Sequence, residues 1–115
     1  DRQHFLRAAA MAMRQVLVDS AREHYAEKRG GGMTPDTMSA AERVAAGSDE
    51  EVFLVDEALA RLQLLDPRLA QVVECRFFAG YSEEETAQAL GISDRTVRRD
   101  WLKAKAWLYV EMAPG

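Results

Sequence analysis

A chain of 115 residues, 48% of them hydrophobic, has room for one modest domain, or a small domain with an appendage, and enough apolar surface for a core. A single cysteine excludes an internal disulfide and a cysteine-rich zinc site, and no apolar run approaches the roughly 20 residues that cross a bilayer. The net charge of −4 is the sum of opposed blocks: residues 1–32 hold six Lys/Arg against four Asp/Glu, residues 33–90 four against twelve, residues 91–107 five against two, and Glu111 adds one negative charge. With no signal-peptide pattern, the expectation is a soluble, cytoplasmic protein. Asp1 in place of an initiating Met points to a fragment or a processed product.

The first stretch, "HFLRAAAMAMRQVLVDSAREHYAEKRGGG", predicts one long helix. Phe5, Ala9, Met13, Val16, Leu17, Ala21 and Tyr25 recur at helical spacing, with Arg7, Arg14, Arg22 and Glu23 elsewhere around it. Gly30, Gly31 and Gly32 end the helix, because residues without a Cβ make its continuation costly in entropy. Residues 30–50 are rich in Gly, Ser, Thr and acidic side chains and predict a linker, with a short helix around "SAAERVAA". This divides the chain into a terminal helix (residues 1–29), the linker, and a compact domain (residues 51–115).

From Glu51 the pattern is helical again, with Val52, Val55, Leu59 and Leu62 on one stripe. Asp66 and Pro67 restart a helix as N-cap and first residue, where the missing proline N–H does no harm. That helix carries Leu69, Val72, Val73 and Phe77 inward and is expected to stop at Gly80. Cys75, inside "LAQVVECRFFAG", reads as a small buried hydrophobe rather than a nucleophile. Ser82 and Glu85 form an S-x-x-E capping box, with Glu83 and Glu84 complementing the positive end of the helix dipole. The short helix they open ends at Leu90-Gly91, and Ser93 caps a final helix reaching Met112. No segment reads as a strand. The expected fold is all-α: a long N-terminal helix, a linker, and a four-helix helix-turn-helix domain with a winged-helix-type three-helical core lacking a wing.

Two short helices joined by a glycine-containing turn, "GYSEEETAQALGISDRTVRRDWLKAKAWL", match the helix-turn-helix pattern. Ala87 is small where the helices approach, and Gly91 can take a left-handed conformation in the turn. On a wheel with Val97 at zero, Leu108, Trp101 and Ala104 fall within about 40° of it, which defines a buried stripe. Arg95 and Arg99 fall near about 160° and 200°, flanked by Lys103 and Thr96 on one side and Arg98 on the other. A charged helix face is ordinarily only solvated. Here it sits at the N-terminal half of a second helix in a capped pair, the part that enters a DNA major groove. Arginine suits that task, since its planar fork bonds guanine O6 and N7 or holds a phosphate. Asp100 lies beside this set, where it would repel phosphate; it braces either an arginine or a neighbouring helix N-terminus.

Other chemistry finds no support. His4 and His24 lack a paired ligand motif, the hydroxyl residues lack a histidine base, and "KRGGG" is not a P-loop. The methionines read as packing residues. No catalytic constellation, metal site or cofactor is expected, so the protein reads as no enzyme.

"ALARLQLLDPRLAQVVECRFFAGYSEEETAQALGISDRTVRRDWLKAKAWLY", residues 58–109, resembles region 4 of bacterial sigma-70-family factors of the extracytoplasmic function (ECF) group. "F…AMRQVLVDSARE" resembles the last helix of region 2 in the same group: Arg14, Asp19 and Arg22 fit its pattern, while Gln15 replaces the usual Asn. "RGGG" and "RRDW…AWL" resemble a subgroup of these factors. The resemblance implies a factor that binds core RNA polymerase, at the β flap through region 4 and the β′ clamp through region 2, and directs it to promoters. It implies that Arg98, Arg99 and Lys103 contact bases and phosphates of a -35 duplex, that Arg95 and Thr96 lie where backbone contacts are made, and that Arg14 and Gln15 lie near the -10 strand; Ser93, the helix cap, is a further candidate DNA-binding residue. The resemblance leaves room for an anti-sigma factor as a further partner. The earlier helices of region 2 are absent from the pattern, so this chain is expected to hold a -35 element without supporting initiation alone. Its first helix is then expected to bury Phe5, Met13 and Leu17 against the C-terminal domain or a second chain. Two alternatives remain at this point: an independent LuxR-like helix-turn-helix regulator, which would bind symmetric half-sites as a dimer, and an interaction module docking an acidic partner.

Overall fold

The computed structural model describes residues 1–30 and 48–114. The short helix expected near residues 39–46 lies outside them. Among the described residues the chain is all-helical, without a strand, as the capping and periodicity patterns predict.

Helix α1 spans Arg2–Gly30 and α2 spans Asp49–Leu65. α2 begins two residues before the expected boundary because Ser48 caps it, its hydroxyl oxygen accepting from the Glu51 N–H at 3.0 Å. Asp49, Glu50 and Glu51 then occupy the first turn, where the dipole favours negative charge. Val52, Val55, Leu59 and Leu62 are all buried, as their spacing requires. Asp66 closes α2 and opens α3, Pro67–Val73: its N–H donates to the Leu62 carbonyl while its carboxylate accepts from the Leu69 N–H.

The next turn departs from expectation. Glu74–Phe78 forms a π-helical turn in which the Ala79 N–H reaches the Glu74 carbonyl five residues back, at 3.1 Å. The wider turn shifts the phase of the side chains. Phe78, not Phe77, is delivered to the main core, and Phe77 stays half-buried against it with the two rings edge to face. Glu74 and Cys75 turn toward α1 instead.

Two apolar clusters result. The larger joins α2, α3, the π turn and the C-terminal helix through Val55, Leu59, Leu62, Leu69, Val73, Phe78 and Ala104, with Val18 and Ala21 of α1. The smaller consists of Leu6 and Ala10 of α1 against Cys75 and Ala89. α1 therefore packs on the C-terminal domain, one of the two expected outcomes, but through a different stripe. Phe5, Met13 and Val16 are exposed, and only Leu17 and Ala21 of the expected set join the core. The reason is steric and electrostatic: fully buried Ala10 lets the backbones approach, and Arg7 and Arg14 on the same side reach Glu74. The Tyr81 hydroxyl adds a bond by donating to the Leu6 carbonyl at 2.8 Å. Among the described residues, no helix is long and apolar enough to cross a membrane.

Candidate nucleic-acid interface

Helix α4 spans Glu83–Leu90 and α5 spans Asp94–Glu111. The capping box forms as read: the Ser82 hydroxyl oxygen accepts from the Glu85 N–H at 3.0 Å, and the Glu85 carboxylate accepts from the Ser82 N–H at 2.9 Å. Those bonds, the Ser82 backbone's first, hold the Glu85 carboxyl below its ordinary range. Gly91 ends α4 at φ +68°, and its N–H and that of Ile92 both donate to the Ala87 carbonyl. The side chain of Gln3 lies over this turn, so that a Cβ at Gly91 would meet its amide at 2.9 Å.

α5 buries the stripe its wheel predicts: Val97 and Ala104 are fully enclosed, and Trp101 and Leu108 half-enclosed. Trp101 is flanked by two cations, the Arg76 guanidinium at 5.3 Å and the Lys105 ammonium at 5.4 Å from its ring centre. Arg95, Arg98, Arg99 and Lys103 are all exposed. Arg98 pairs with Glu83 of α4 at 3.3 Å. Arg95, Arg99 and Lys103 have no ion-pair partner among the described residues.

Ser93 and Thr96 hold the front of this helix. The Ser93 hydroxyl oxygen accepts from the Thr96 N–H at 3.1 Å, and the two hydroxyls bond each other at 3.0 Å. Of its two alternatives, Asp100 takes the arginine. It is 2% exposed and takes the Arg68 guanidinium in two bonds, at 2.6 and 3.2 Å, and Arg68 lies in the first turn of α3. The carboxylate is buried against Arg68, and it raises the Arg68 guanidinium above its ordinary value through that hydrogen bond.

Arg14 and Gln15 bond to separate sets of partners. Arg14 is turned inward: its Nε donates to Asp56 at 2.7 Å, Nη1 to Glu74 at 3.1 Å and Nη2 to the Asp56 carbonyl at 3.2 Å, with the guanidinium over the Phe78 ring. Arg7 grips the other oxygen of Glu74. Gln15 is exposed and donates to Asp19, which also pairs with Arg22. Sequence reasoning missed Asp56, Glu74, Glu83 and Arg68 as partners. Their mates lie between 15 and 67 residues away in the chain, so no local spacing announces them. Cys75 is fully buried, and burial pushes its thiol up to about 11. Among the described residues, no group of three or more His, Cys, Asp or Glu is placed to hold a metal ion.

A capped, glycine-turned helix pair, its second helix presenting three cations that are unpaired among the described residues, defines a helix-turn-helix protein of the DNA-binding class. The family model for the ECF sigma factor matches residues 1–114, and the chain belongs to the ECF sigma factor family. Its members are non-enzymatic transcription factors that act with promoter DNA and core RNA polymerase. No curated protein and no solved structure matches the chain.

Proposed function

We propose that α5 reads the -35 element of promoters as duplex, with its N-terminal half in the major groove and Arg98, Arg99 and Lys103 on bases and phosphates. Arg95 and the Ser93–Thr96 cap would approach the DNA backbone. The observation that carries this reading is the set of exposed cations Arg95, Arg99 and Lys103 on the outward side of α5, without an ion-pair partner among the described residues, in a chain whose net charge is −4. Asp100 supports it by facing Arg68, which removes the one carboxylate that would oppose phosphate from the middle of the helix. The same reading puts the C-terminal domain on the β flap, α1 near the β′ clamp and the -10 strand, and the protein in the cytoplasm. It leaves room for an anti-sigma factor as a further partner. The division into a region 2 helix (residues 1–29), a linker (30–50) and a region 4 domain (51–115) follows from it. Contact of Arg14 with a -10 strand requires its bonds to Asp56 and Glu74 to open first.

Selection of duplexes from a randomised pool by the full chain tests the reading. Arg99→Ala should cost about 1–3 kcal/mol on the selected site and blur preference at one or two positions. Lys103→Ala should weaken all sequences evenly and reduce the slope of log affinity against log salt by about one. If both variants bind the selected duplex as the parent does, α5 is not the reading helix.

A further inference from the structure

Leu102 lies on α5 with 60% of its surface exposed and belongs to neither apolar cluster. At 100° per residue it stands about 140° from Val97, between Arg98 and Arg99 on the outward side. Its neighbours one turn away on the helix surface are Arg98, Arg99, Lys105 and Ala106, three of them cationic. A helical side chain leans toward the turn before it, so Leu102 covers ground between Arg98 and Arg99. It stands about 12 Å along the axis from Asp94, short of Lys103 and therefore within the stretch that carries the candidate DNA contacts.

An apolar protein surface covering Leu102 would also have to cover Arg98, Arg99 and Lys105, and taking those charges from water without anionic partners is unfavourable. A DNA major groove meets both demands. Its phosphates and guanine edges take the cations, and it displays one apolar group, the C5 methyl of thymine. We propose that Leu102 is a specificity-determining residue that reads this methyl, selecting thymine next to a base or phosphate held by Arg98 or Arg99. This rests on the major-groove reading of α5 and adds to it an apolar contact.

Replacing dT by dU removes only that methyl. Full chain and Leu102→Ala are compared by fluorescence anisotropy on the duplex selected by the parent chain and on versions with each dT changed to dU. At one position the parent should lose about four-fold in affinity, the worth of one buried methyl. Leu102→Ala should lose a similar factor on the dT duplex and nothing more on the dU duplex, with thermal unfolding unchanged. Equal losses by Leu102→Ala on both duplexes overturn the proposal, as does a selected site without a methyl-sensitive thymine. So does a variant that keeps its dT preference while losing core polymerase. If no duplex is enriched, or Arg99→Ala and Lys103→Ala both bind like the parent, the groove reading itself has failed and this inference falls with it.

Discussion

Glu74→Gln is the most informative single change away from the cationic face of α5. The Glu74 side chain is 8% exposed and receives guanidinium groups from Arg7 and Arg14, each 24% exposed. The amide keeps the shape but removes the charge that balances two cations. Breaking one partner of a buried pair typically costs about 3–5 kcal/mol. Arg14 retains Asp56, and water reaches both arginines, so the low end of that range, about 3 kcal/mol, is expected. That is a large share of the roughly 5–15 kcal/mol that stabilises a domain. Because the pair joins α1 to the π turn, the loss should be local first. Amide exchange should quicken along α1 while α2, α3 and α5 keep their protection. Urea unfolding followed by the fluorescence of Trp101 and Trp107, together with hydrogen exchange resolved by peptide, reads both quantities. A loss below about 1 kcal/mol with α1 exchange unchanged would show that packing of Leu6, Ala10, Val18 and Ala21 holds the helix without the ion pairs.

Two further changes probe the turn and the buried thiol. Gly91→Ala forces a side chain into φ +68° and against Gln3, whose flexible end can yield; a cost of about 1–2 kcal/mol and a Tm lowered by roughly 4–8 °C are expected by calorimetry. An unchanged Tm would mean that the turn relaxes out of the left-handed region. The Cys75 thiol, ordinarily at 9.0, is pushed up to about 11 by burial, so the folded state holds its proton longer than the unfolded chain. Its contribution is present in full below pH 9 and is lost as pH rises through about 11. Urea midpoints between those limits should fall less steeply in Cys75→Ala; parallel curves would refute the assignment.

What the sequence determined by itself is whatever is settled within a turn or two of chain. The Ser82–Glu85 box, the Asp66–Pro67 start, the Ser93 cap and the Gly91 stop are local bonds, and each is found where its residues stand. The face of α5 follows for the same reason: once one stripe is apolar, a rigid helix fixes where Arg95, Arg98, Arg99 and Lys103 point. Tertiary structure decided the rest. α1 carries two overlapping apolar faces, and periodicity picks out the one with Phe5 and Met13, which the structure leaves exposed. Leu6 and Ala10 go inward and Phe5 and Met13 outward only because a partner surface with Glu74 at its centre waits on one side. The π turn that puts Phe78 rather than Phe77 in the core is likewise chosen by packing on two sides at once. Asp100 carries no sign of its mate, because Arg68 meets it across two helices. Bonds within one turn are written in neighbouring letters, whereas ion pairs between helices exist only after the core has set the distance between them.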